Sequence, residues 1–188
     1  MPLCPRRPVG AVLSKTIGKG EVEGWGPILY NAAMNPEFMA EAVKVALENV
    51  TTGAGGPFGA VIVKNGEIIA RGRNSVTLSV DPTAHAEVNA IREAARVLGS
   101  FSLEGCEIYT SCEPCPMCLG AIYWARLERV YYGCTQFDAA AIDFDDQFIY
   151  EEIARDKGER KLEFVALGRD VSLKAFEAWS ESQSKVRY

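Results

Sequence analysis

Histidine is nearly absent from this sequence: His85 is the only one in 188 residues. Any mechanism that uses imidazole as a base must use this residue. No nucleophile elbow accompanies it, which sets serine- and cysteine-protease chemistry aside. No apolar run approaches the ~20 residues that cross a bilayer, so no membrane partner is expected. Positive charge is short as well, with 20 Lys and Arg against 25 Asp and Glu and a formal net charge of -5. A surface of that sign repels a polyanion, so no nucleic-acid partner is expected. Internal repeats and low-complexity segments are missing too.

Six cysteines are present: Cys4, Cys106, Cys112, Cys115, Cys118 and Cys134. The chain is not a short secreted one, and three of them cluster at two-residue gaps. That spacing indicates a metal in a reducing compartment rather than disulfides, so a cytoplasmic location is expected. The N-terminal end carries Arg6, Arg7, Lys15 and Lys19 with no acid before residue 20, and no secretory apolar segment. Residues 1–34 read as a leader or disordered tail ahead of one domain, 35–188.

Asn35-Pro36-Glu37 combines cap, proline and acid at a helix start, and Phe38, Met39, Ala42, Val43, Ala46 and Leu47 form its apolar stripe. Phe58–Val63 and Glu67–Ala70 read as strands joined by Asn65-Gly66, a strong hairpin signal. A helix follows with Val88, Ile91, Ala95 and Leu98 inward and Gly99 as its stop. Strand Cys106–Thr110, helix Pro114–Leu127 and strand Val130–Tyr132 come next. Lys161–Leu167 reads as a fifth strand, and Ser172–Ser180 as a last helix. This order predicts an α/β domain, a three-layer α/β/α sandwich around a mixed five-stranded sheet.

Two short stretches carry the chemistry. Pro82-Thr83-Ala84-His85-Ala86-Glu87 holds the histidine and, two residues on, a glutamate. Cys112-Glu113-Pro114-Cys115-Pro116-Met117-Cys118 follows about thirty residues later. One imidazole and two thiolates suit zinc, and three protein ligands leave a tetrahedral position open, as in catalytic sites. His85, Cys115 and Cys118 are therefore the expected ligands of one Zn²⁺ per chain, and Glu87 the catalytic proton carrier. On a regular helix His85 and Glu87 would diverge by ~200°, so the ion must lie beyond the helix start. A packed histidine, buried cysteines and a first-turn acid are the blander readings, and the four residues together outweigh them. Cys112 extends the run to three cysteines, but Leu119, Gly120 and Ala121 lead to Ile122 where a cluster-binding run needs cysteine and proline. Cys112 reads as a packed neighbour, and Cys106 and Cys134 as strand residues in the core.

His-x-Glu followed by Pro-Cys-x-x-Cys is the signature of zinc nucleobase deaminases. The fuller segments PTAHAE and TSCEPCPMCLGAIYWAR resemble the cytidine-deaminase-like superfamily, and within it the guanine deaminase branch. This resemblance runs from about Pro36 to Tyr188. It implies a cytidine-deaminase-like fold and hydrolysis of guanine to xanthine and ammonia. It also implies substrate contacts at Asn74, Phe58, the backbone N–H of Ala86, Trp124 and Asp146, this last in Phe144-Asp145-Asp146. Where relatives carry glycine before that phenylalanine, this chain has Asp143. In that branch the C-terminal part is exchanged between two subunits, so a domain-swapped homodimer with Tyr188 closing a site is implied.

Three functions compete. The first takes guanine, a small-molecule purine, as substrate. The second is a sibling deaminase acting on guanosine, cytosine, cytidine or tRNA adenosine, the tRNA being disfavoured by the acidic surface. The third is a structural zinc or nucleotide-binding module without catalysis, for which Cys112 is the nearby candidate fourth zinc ligand.

Overall fold

The structure, a computed structural model, describes residues 34–144 and 146–187, and Asn35–Tyr188 stands as one unit. The leader or tail reading of residues 1–34 falls, apart from Met34, outside the described residues.

Helix α1 (Pro36–Thr51) begins as its sequence predicts, with Asn35 Oδ1 accepting from the Glu37 N–H at 2.9 Å and proline in the first turn. Strands β1 (Gly59–Lys64) and β2 (Glu67–Arg73) form an antiparallel hairpin. Asn65 and Gly66 turn it with φ of 52° and 78°, the left-handed pair such a two-residue turn requires. A short helix, α2 (Val76–Ser79), leads to α3 (Ala86–Leu98), which stops at Gly99 in the left-handed region. Strand β3 (Cys106–Cys112) runs antiparallel to β1. Helix α4 (Pro116–Trp124) then returns the chain to β4 (Arg129–Cys134), parallel to β3.

The sheet is mixed, in the order β2-β1-β3-β4, and alternation along β1 gives each face a core of its own. Ala60 and Ile62, with Ile108 of β3, meet Ala86, Ala90 and Ala94 of α3 and Ile122 of α4. Val61 and Val63, with Tyr109, meet Ala42, Phe38 and Met39 of α1. Each large aliphatic side chain buried this way contributes about 1.5–3 kcal/mol. The alanines on α3 face Gly72, where an added Cβ would lie 2.0 Å from the Ala86 carbonyl and 2.4 Å from the Ala90 nitrogen. Small residues on both sides thus seat the first turn of α3 directly on β2.

Beyond β4 the chain packs differently. Helix α5 (Gln136–Ala140) opens with a capping box in which Thr135 and Asp138 exchange side-chain-to-backbone bonds. Helices α6 (Gln147–Ala154) and α7 (Arg169–Glu181) follow, neither with a buried residue. The predicted fifth strand is corrected: the sheet has four strands, and residues 161–167 are irregular and exposed throughout. Leu162, Val165 and Leu167 stand 71%, 73% and 91% exposed. A strand needs an edge to pair with, and this segment meets none among the described residues. Cys134 is likewise exposed, not a core residue, because it ends β4 at the sheet's open edge. No helix among the described residues is long and apolar enough to cross a membrane.

Candidate active site

Two helix starts meet at the site, and each follows one plan. His85 is the N-cap of α3, with extended backbone (φ -71°, ψ 160°), and Cys115 is the N-cap of α4 (φ -63°, ψ 167°). Their extended backbones turn both side chains ahead of the helices, while Glu87 and Cys118 point from the first turns. The geometric puzzle of His85 and Glu87 resolves this way: one residue is a cap, the other is inside the helix. Neither cap makes the side-chain hydrogen bond usual at that position. Their polar atoms face each other instead.

His85 Nδ1 lies 3.6 Å from Cys115 Sγ and 3.4 Å from Cys118 Sγ, and the three donor atoms fall within 4.8 Å of one another. The Cys118 thiol also reaches Glu87 Oε2 at 3.5 Å. The protein's own charges already prepare this set. A hydrogen bond from Cys118, helped by His85 and by the Cys118 N–H, brings Cys115 down to about 4, against the opposing effect of burial. Cys118 is pushed up by its bond to Cys115 and by burial, and His85 is raised by its bond to Cys115. One nitrogen and two sulfurs in contact, one sulfur already held as thiolate, fit a borderline-soft cation such as zinc. Cys112 stands outside the group. Burial keeps its thiol protonated, pushed up to about 11, and its Sγ lies 3.5 Å from the Thr135 carbonyl. A closed four-ligand site is therefore not assembled among the described residues, which disfavours the structural module.

Glu87 is 6% exposed, and burial raises its carboxyl well above the ordinary range, against the pull of its own backbone N–H. It faces a cavity of about 460 Å³, within the span of small-molecule sites. Of the predicted residues, His85, Cys115, Glu87, Asn74, Phe58 and Asp146 line this cavity. Asn74 follows the end of β2, and its Oδ1 accepts from the Val76 N–H at 3.3 Å. The amide's donor end, Nδ2, is then left for a partner other than Val76. Phe58 meets Phe144 edge to face, ring centres 4.9 Å apart. Ala86 is fully buried in the core between α3 and the sheet and does not line the cavity.

A further predicted residue is not brought in. Trp124 ends α4 with 67% of its surface exposed and does not line the cavity, because the last turn of α4 faces away from the helix start. Tyr188 lies outside the described residues. Others were missed: Thr77, Glu113, Gln136, Asp143, Phe144 and Ile149 are among the further residues that line the cavity. Glu113 could have been found from its place inside the cysteine motif. It accepts from the Gln136 N–H at 3.1 Å and ties the start of α5 to the site.

Residues 33–134 match the family model described as the cytidine and deoxycytidylate deaminase zinc-binding region. Guanine deaminase of Bacillus subtilis (strain 168) is 55% identical over 156 residues, covering 82% of this chain and all of that protein. The X-ray structure of guanine deaminase from Bacillus subtilis superposes with a TM-score of 0.80 at 54% identity, over 82% of this chain and 99% of that one. A structure of guanine deaminase from Nitrosomonas europaea gives a TM-score of 0.57 at 29% identity, covering 70% and 80%. The tRNA-specific adenosine deaminase of Aquifex aeolicus is 54% identical over 77 residues, covering 41% of this chain and 51% of that protein.

Proposed function

Because this chain belongs to the cytidine and deoxycytidylate deaminase family, and to its guanine deaminase branch, we propose that it hydrolyses guanine to xanthine and ammonia. The observation that supports this reading is that His85, Cys115 and the buried Glu87 line one cavity together with Asn74 and Asp146. His85, Cys115 and Cys118 would hold one zinc ion, which supplies Lewis-acid activation of water when bound.

The chain's own residues do the rest. Glu87, buried and raised, is suited to take one proton from the attacking water to a ring nitrogen. It then carries the second, from the added hydroxyl, to the amine as it departs as ammonia. Asn74 donates through Nδ2 to an acceptor on the purine. Asp146 accepts from the purine's N–H donors, which guanine presents and adenine does not in the same pattern. Phe58 supplies an aromatic wall held by Phe144. The backbone N–H of Ala86, at a helix start, is the donor for the carbonyl oxygen. The likeness to the Aquifex aeolicus tRNA-specific adenosine deaminase spans 41% of this chain, and the net charge of -5 speaks against a polyanionic substrate.

The enzyme acts as a homodimer with exchanged C-terminal segments. Leu162, Phe164, Val165, Leu167, Phe176 and Trp179 are all exposed in the single chain, a set of apolar side chains of the kind a partner surface covers. A second copy offers residues 161–167 the open edge of β4, and gives Trp124 and Tyr188 a site to close. Ammonia release measured across guanine, guanosine, cytosine, cytidine and adenine tests the substrate. A preference for cytidine would overturn guanine while leaving the family untouched.

A further inference from the structure

Asn49, in the last turn of α1, is fully buried and does not line the cavity. Its Nδ2 donates to two backbone carbonyls at once, those of Gly56 and Asn74, at 2.8 Å each. The two acceptors fix which way the amide points. Its Oδ1 is buried and finds no donor among the described residues. A buried amide that leaves an acceptor unmet is costly, and an apolar residue would fill a helix face without that cost. What the amide gains is a grip on the segment that carries Asn74.

The segment is held from its other side as well. Asn89 of α3 donates to the carbonyl of Arg73 at 2.9 Å, to Ser75 Oγ at 3.1 Å and to the carbonyl of Ala84 at 3.3 Å. Residues 73–75 are thus fastened to α1 by one amide and to α3, the helix that carries Glu87, by another. Gly55 makes room for the first fastening: a Cβ there would lie 2.4 Å from the Asn74 carbonyl and 2.9 Å from Asn49 Nδ2.

We propose that Asn49 is a positioning residue that sets the Asn74 carboxamide against the base, with Gly55 as the gap that lets it reach. This rests on the reading of Asn74 as a substrate contact. Asn49 touches no substrate and acts only through Asn74.

The test is a pair of cycles in which Asn49→Ala and Gly55→Ala are each made alone and with Asn74→Ala. Zinc content should stay at the wild-type level. Each single variant should raise KM for guanine roughly tenfold, the worth of one neutral hydrogen bond, with a smaller change in kcat. Each should add less than about twofold in the Asn74→Ala background, because the side chain it positions is gone. Equal losses in both backgrounds would overturn the proposal, as would an unchanged KM. Should Asn49→Ala fail to fold, Gly55→Ala carries the kinetic test. A crystal structure of Gly55→Ala decides the same point without turnover: the Asn74 carboxamide should leave its place, and an undisturbed Asn74 would sink the idea. Absence of guanine turnover in the wild type would remove the substrate assignment, while the crystal structure still judges the positioning.

Discussion

The residues before and after Thr135 have similar apolar content and opposite fates. From Asn35 to Cys134 the chain builds two cores, one on each face of the sheet. Among the described residues from Gln136 onward, only Ala139 is buried. Hydrophobic side chains pack only where an element of the same chain stands opposite them. The first region supplies its own partners; under the dimer reading the second takes them from another copy.

The sharpest test of the first region is its chemistry. Glu87→Gln should lower kcat by roughly 10²–10⁴-fold, the span of general acid–base catalysis, with zinc content by metal analysis unchanged. Activity retained at wild-type level would remove Glu87 from the reaction. Packing is the next test. Gly72→Ala pushes a methyl against the backbone of α3 and should cost about 1–3 kcal/mol in denaturant unfolding. For the second region, a chain ending after Arg160 should elute as a monomer and lose roughly tenfold or more of its turnover, since closure over the cavity goes with the tail. A truncated chain that stays dimeric and active would break the contrast. The smallest effect is expected at Gly158, where an added Cβ meets nothing, so Gly158→Ala should stay within about 0.5 kcal/mol of wild type.

The contrast also explains what could be read from sequence. Caps, turns and spacing are local: Asn35 at a helix start, Asn65-Gly66 in the hairpin and Gly99 at a helix end all stand where residue chemistry puts them. The site was legible for the same reason, since His85, Glu87, Cys115 and Cys118 all lie at or just inside two helix starts. Pairing is not local. Lys161–Leu167 has the composition of a strand but meets no edge, and Cys134 closes a strand whose outer side is open. Trp124 matched the motif, yet the turn that carries it faces away from the cavity of its own chain. Helix α6 gave no signal of its own, and Phe144 enters the sequence reading only through the segment that carries Asp146, not as a wall against Phe58. Asn49 gave no signal at all, because its partners are backbone carbonyls 7 and 25 residues away.

The two helix starts at the site give up the ordinary side-chain cap so that an imidazole and a sulfur can face forward. A Cys115→Asp replacement would hand α4 the acceptor it is missing, worth about 1 kcal/mol. Such a variant should unfold later than the wild type when both are stripped of zinc, and earlier when both are saturated. Two melting curves that cross with metal supply would expose an antagonism between a firm scaffold and a working one.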